Sequence, residues 1–488
     1  MARHVLAGEL PVFFWGQPFK GVPEVYASAI LFSVFGSSVA AIKSVTLACF
    51  ATYVALNFVL LDTLGSRWLA VTASLLLVFS PPALVFWSLW AGSEYMLIML
   101  FGTVLLLCLH LSAADRAERR AQRAETRRLL AIGLVIGLGL WDHQLIVVYL
   151  IPLGIILAIR DEWWKRETFS TPNRFAIALA AIGGLYVVLG VIAFVSGGFS
   201  LQIGSVAISA TAPQKMIRIA MGILAIAALV QVISTATSTQ TRDAVRRYWP
   251  VAAGFLGGYA PALVYTVFVG PPRSPMRVAD AHRLIEASPD IIGNIVPILA
   301  GFKIATTERL ALPAIAAIPG AAALAAYVWA TRRSLTKEFF PLFVVFTPAF
   351  FLVSGAYIDT QSHRYLIPWY AGLSVAWAAG SLALARNRKP VAAAIVACVL
   401  AVHAWQQVLW YHKLTPDTQS WRTIECLKRK GIGGGYAEYW TSYKLTFLAR
   451  EEIIIAPIDG IDRYPRYTEY VRSLPAHEQI NVESDACR

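Results

Sequence analysis

Short stretches of this chain combine residue types that can move a proton or hold a phosphate. In FWSLWAGSEYMLIMLFG, Glu94 follows Gly92 and opens a long apolar run. A carboxylate there either caps the first turn of a helix, where the macrodipole favours negative charge, or faces a cavity as the base that a hydroxyl needs. Asp142 and His143 interrupt another apolar stretch. They either satisfy each other and nearby backbone groups, or carry a proton or hold a phosphate. In YIDTQSHRYLIPWYAGL, Asp359, His363, Arg364 and Tyr365 precede a further run. Arg364 either snorkels toward the membrane interface or offers its planar fork to phosphate oxygens.

The elements that must position these groups are membrane spans. The 488 residues are 57% hydrophobic and only 15% charged, with a mean hydropathy of +0.59, far from soluble globular proteins, in which about a quarter of residues are charged. The net charge of +13 does not point to nucleic acid. Its Lys and Arg residues sit in short clusters between apolar runs, a pattern that orients spans. Cys49, Cys108 and Cys398 fall within apolar runs and read as small packing residues. Cys426 and Cys487 lie in a polar tail, where they could pair if that tail is outside the cell.

Runs long enough to cross about 30 Å of hydrocarbon lie at 38–61, 68–89, 94–113, 175–196, 216–236, 249–269, 311–331, 339–357, 364–385 and 390–411. The stretch 129–158 is too long for one crossing. It is flanked by ADRAERRAQRAETRR and RDEWWKRETFSTPNR, and by the positive-inside rule both flanks are cytoplasmic. The stretch therefore crosses twice, with Trp141, Asp142 and His143 at the outer tip. The expected fold is an all-α polytopic membrane protein of about twelve transmembrane helices. The basic loops at 242–247, 331–337 and 385–390 then also fall inside. The outer side receives residues 1–37, the short links near 90–93 and 359–364, the loop 270–310, and the tail 412–488, so Glu94, His143 and Arg364 share a side.

This division gives three regions: the outer segment 1–37 with an amphipathic helix, the membrane domain 38–411, and a small extracytoplasmic α/β module over 412–488. GIGGG in that module lacks the Lys-Ser/Thr of a phosphate loop and reads as a turn. No metal-ligand spacing stands out. The opening segment has no signal peptide to carry it outside. The economical expectation is a further span upstream of Met1; the rival is a first span that inserts with its short tail translocated.

With these positions in view, GELPVFFWGQPFKGVPEVYASAILFSVFGSSVAAIKSVTLACF resembles the first large outer loop and second span of the GT-C superfamily of integral membrane glycosyltransferases. The branch it resembles contains the aminoarabinose transferases and protein O-mannosyltransferases. RYLIPWY resembles that family's Arg-Tyr span opening, and the likeness extends over most of the chain as an architecture. A family pattern of about thirteen spans with an outer C-terminal module equals the spans counted here plus one upstream.

The resemblance implies transfer of a sugar from a polyprenyl-phosphate-linked donor to an envelope glycan, lipid or protein on the outer face of the inner (plasma) membrane. No nucleotide is expected, and a divalent cation stays open as a cofactor. Glu94 matches the family's second acidic position and is the expected catalytic carboxylate. Lys20, His143, Arg364 and Tyr365 fall at or near donor-phosphate positions; His143 stands where relatives often carry Lys. Glu24, Asp142, Asp359 and His363 are candidates for supporting the site or binding the acceptor. The family's first acidic motif would lie upstream of Met1. The alternative reading is a multi-span transporter or lipid flippase, but no internal repeat supports it and the polar groups gather on one side.

Overall fold

The structure, a computed structural model, describes residues 1–92, 94–114, 121–160, 173–196, 199–203, 206–210, 213–234, 239–270, 281–304, 308–309 and 312–482. Among them six helices are long and apolar enough to cross a membrane: Val39–Thr63, Arg174–Ser196, Val245–Phe268, Ala314–Thr331, Thr360–Leu384 and Lys389–Tyr411. Shorter apolar helices include Tyr95–His110, Gln144–Arg160 and Phe339–Val353. The chain is a helical, multi-pass membrane protein.

The run read as one span over 68–89 is not a continuous helix. Arg67–Val78 and Pro82–Ser88 meet at 79°. Pro81 and Pro82 supply the reason, since neither has an N–H to continue the backbone ladder and each ring clashes with the turn before it. Pro82 instead opens the second helix at its first turn, where a missing donor costs nothing.

The chain divides into two compact units, of which the larger comprises residues 47–264 and 274–410. Its helices approach closely where side chains vanish. Gly133 and Gly137 on the helix Ala121–Asp142 face Gly254 and Gly258 on the helix Thr239–Phe268. A Cβ on Gly133 would sit 2.0 Å from the carbonyl oxygen of Val251, and one on Gly254 would sit 2.1 Å from that of Leu130. Two G-x-x-x-G stripes therefore put backbone against backbone, the membrane solution to helix pairing when lipid and side chain are equally apolar. Gly380, whose Cβ would lie 1.8 Å from the Ala323 carbonyl oxygen, does the same between Tyr370–Leu384 and Ile318–Thr331. The helix Tyr370–Leu384 is the most enclosed, burying residues on every side, Tyr370, Leu373, Val375, Trp377 and Ala378 among them.

The smaller unit joins residues 1–46, 265–273 and 411–488. Its centre is a three-stranded parallel sheet in the order Ile454–Pro457, Gly434–Ala437, Gln479–Asn481. Helices Thr418–Arg429, Tyr439–Leu448 and Pro465–Ser473 accompany it, over a core of Leu427, Ala437, Leu445 and Ile455. GIGGG is thus more than a turn. Gly431 does turn the chain, at φ 67°, but Gly434 and Gly435 begin the central strand. A Cβ on Gly435 would come within 2.3 Å of the Ile480 carbonyl oxygen, so these glycines make room for a neighbouring strand. Cys426 takes part in a disulfide, and Cys487 lies outside the described residues.

The N-terminal segment is woven into the same unit. The Trp15 and Tyr464 rings stack at 3.8 Å, and Arg463 donates to the Gly16 carbonyl at 3.0 Å. Glu9 accepts from the Tyr464 hydroxyl at 2.9 Å and pairs with Arg466 at 3.0 Å. Arg3 reaches Glu451 at 3.3 Å. Phe13 packs edge-to-face on Tyr265 at 4.9 Å, which ties in the third segment.

Candidate active site

Within the larger unit, Glu94 directly precedes the helix Tyr95–Ala114 and is only 7% exposed. His143, 6% exposed, lies across from it with Nε2 3.7 Å from Glu94 Oε1. The local chain fixes the imidazole. The helix Ala121–Asp142 ends just before it, and His143 Nδ1 accepts the Leu145 backbone N–H at 3.1 Å to start the short 3₁₀ turn Gln144–Ile146. An Nδ1 that accepts leaves the ring proton on Nε2, aimed at the Glu94 carboxylate. Asp142, 2% exposed, is buried beside it.

Arg364 and Tyr365 sit on the 3₁₀ helix Thr360–Trp369. The guanidinium lies 5.2 Å from the Tyr365 ring centre and 3.4 Å from its hydroxyl. It is within electrostatic reach of Tyr95 and Glu94, and Tyr95 stands edge-on to Tyr365 at 6.5 Å. A carboxylate, an imidazole, two phenols and a guanidinium therefore converge in one region. A buried carboxylate can take a proton, and a guanidinium can hold a phosphate in a bidentate grip.

The remaining candidates have structural engagements. His363 accepts the Trp87 indole N–H at Nε2, 3.2 Å, and its Nδ1 lies 2.9 Å from the Thr360 carbonyl. Asp359 is the N-cap of the 3₁₀ helix, in a capping box with Ser362. In the smaller unit, Glu24 is buried and accepts from the Thr46 hydroxyl, tying the helix Pro23–Phe35 to the start of Val39–Thr63. Lys20, on the strand Gln17–Gly21, places its ammonium 5.0 Å from the Phe14 ring centre.

A polar cluster that sequence reading did not single out surrounds Asp290. Its carboxylate accepts from Asn294, from the Tyr357 hydroxyl at 3.0 Å and from the Thr360 hydroxyl at 2.7 Å, while Lys303 donates to Asn294. Burial pushes the Asp290 carboxyl up, but these hydrogen bonds and the Lys303 charge outweigh it and hold it below the ordinary carboxylate value. An acceptor so engaged anchors the start of the Thr360–Trp369 segment rather than acting as a base. A five-residue π-helical stretch, Ile291–Ile295, follows it. Among the described residues no three His, Cys, Asp or Glu side chains come together as metal ligands.

No family model matches the chain, and no curated protein does. Solved structures do. ArnT from Cupriavidus metallidurans in the apo state is similar at 10% identity and a TM-score of 0.49, over 94% of this chain and 79% of that one. ArnT bound to undecaprenyl phosphate is similar at 10% identity and 0.46, over 99% and 84%. The oligosaccharyltransferase AglB from Archaeoglobus fulgidus, in complex with an inhibitory peptide and a dolichol-phosphate, is similar at 14% identity and 0.45, over 92% of this chain. Both are GT-C superfamily membrane glycosyltransferases. The chain spans 58% of the length of the archaeal enzyme.

Proposed function

We propose that this chain transfers a sugar from a polyprenyl-phosphate-linked donor to an acceptor hydroxyl on the extracytoplasmic face of the inner membrane. The observation that carries the reading is the buried Glu94 carboxylate, with the His143 Nε2–H directed at it and Arg364 within electrostatic reach. Glu94 takes the proton of the acceptor hydroxyl as its oxygen attacks the anomeric carbon. The bond from that carbon to the phosphate oxygen breaks, and the polyprenyl phosphate leaves with the electron pair. Arg364, with Tyr365, stabilises the charge that grows on the phosphate. His143 orients Glu94, and Asp142 supports the turn that carries it. Asp359 and His363, each engaged in a structural hydrogen bond or cap, support the site instead of binding the acceptor.

The topology proposed with this function has about twelve crossings and both ends of the described chain outside. The smaller unit supports it. Segments 1–46, 265–273 and 411–488 form one compact body, so if that body lies on one face, an even number of crossings must separate each from the next. The reading from basic loops meets both conditions.

The test is a transfer assay with the purified chain in liposomes, using undecaprenyl-phosphate-linked sugars and envelope lipid or glycan acceptors. Mass spectrometry of envelope glycans and lipids from cells with and without the gene would identify sugar and acceptor. Movement of the donor across the bilayer with no new glycosidic bond would favour a flippase instead.

A further inference from the structure

The indole of Trp87 touches both halves of the candidate site. It lies on the helix Pro82–Ser88, after the 79° bend, and is 9% exposed. Its ring packs edge-on to Tyr95 at 5.1 Å, next to Glu94. Its Nε1–H donates to His363 Nε2 at 3.2 Å, next to Arg364. The opposite nitrogen of that imidazole lies 2.9 Å from the Thr360 carbonyl oxygen. An indole nitrogen can only donate and a carbonyl oxygen can only accept. The two partners therefore fix one neutral tautomer of His363, with its proton on Nδ1 and its lone pair on Nε2.

We infer that Trp87 is a positioning residue that sets Arg364 against Glu94 by locking His363 in the Nδ1–H tautomer. Protonation breaks the bond from Trp87, and a switch to the other tautomer breaks both hydrogen bonds. The groups facing His363 are Thr360, Asp359 and Arg364 on its own segment, and Trp87 from the helix Pro82–Ser88.

The inference rests on the proposed donor role of Arg364, and two measurements separate the two. The first needs no activity. In the full-length chain labelled with 15N-histidine, with the His363 signal assigned by difference from His363→Gln, the wild type should show a single Nδ1–H tautomer. Trp87→Phe, which keeps a ring and loses the donor, should show averaging between tautomers. An unchanged His363 signal in Trp87→Phe would overturn the lock. The second is affinity for undecaprenyl phosphate in detergent. Trp87→Phe should weaken it about tenfold, the worth of one hydrogen bond, and should add nothing in an Arg364→Ala background. Losses that simply add would show that Trp87 does not act through Arg364. If the wild type fails to bind the lipid phosphate, the donor reading falls while the tautomer result still decides the lock.

Discussion

His143 Nε2 lies 3.7 Å from Glu94 Oε1, and both side chains are buried. The distance is beyond a hydrogen bond, yet the Nδ1 contact to the Leu145 N–H directs the ring proton at the carboxylate. A small inward movement would close the pair into a hydrogen bond.

Glu94→Gln keeps the shape of this pair and removes the base. Transfer should fall by roughly two to four orders of magnitude while membrane insertion is unchanged. Wild-type turnover in the liposome assay would remove Glu94 from the mechanism.

Arg364→Ala should weaken binding of undecaprenyl phosphate by about 10- to 100-fold, since charge-assisted hydrogen bonds contribute about 1.5–3 kcal/mol. Arg364→Lys should recover part of this, as a point charge without the planar fork. Equal affinity across all three proteins, measured by titration in detergent, would count against a phosphate role.

Gly254→Leu should destabilise the larger unit. Even a Cβ there would sit 2.1 Å from the Leu130 carbonyl oxygen, so two backbones must part, at a cost of about 1–3 kcal/mol or more. A lower unfolding temperature in detergent is expected. The same change at Gly257, where a Cβ meets nothing within 4 Å, is the control.

Asp417 caps the helix Thr418–Arg429, accepting from the Ser420 backbone at 3.1 Å, and pairs with Lys444 at 3.2 Å. The Ser420 backbone hydrogen bond, and after it the bonds from the Ser420 hydroxyl and Lys444, hold its carboxyl below the ordinary value. A depressed carboxyl adds stability above its unfolded pKa, near 4, and loses it as the pH falls through the folded one. Asp417→Ala should therefore cost about 1 kcal/mol at neutral pH, with the difference shrinking in acid. Thermal melts at pH 7 and at pH 3 check both the size and the sign.

A reporter fused after Arg488 and a tag placed before Ala2 should report the same, extracytoplasmic side. Opposite sides would break the topology, because Trp15 and Tyr464 stack in one unit.

Much of the membrane character was legible because hydropathy is additive along a chain. Val39–Thr63, Arg174–Ser196 and Lys389–Tyr411 are helices where the apolar runs lie. The Pro81-Pro82 pair was visible too, but apolarity over 68–89 masked a break that proline chemistry dictates. Residue type and position at the ends of apolar runs mark Glu94, His143 and Arg364, and the structure draws them into one region. The partners of these residues were not legible. Nothing in a linear reading links Trp87 to His363 or Asp290 to Thr360, since those contacts depend on how distant helices pack. GIGGG shows the same limit, because a glycine turns a chain or admits a neighbour according to what lies against it. The G-x-x-x-G spacings at 133–137 and 254–258 were a readable signal that span counting overlooked.

The braid of the smaller unit has a cost in time. Trp15 and Arg3 find their partners in Tyr464 and Glu451, near the opposite end of the chain. At ribosomal rates of roughly 5–20 residues per second, the N-terminal segment waits tens of seconds for them. Until then its tryptophan and arginine lack these partners. Completion of this unit is therefore a late event of synthesis, and a nascent chain arrested before the last strand would carry its apolar helices with this unit unfinished.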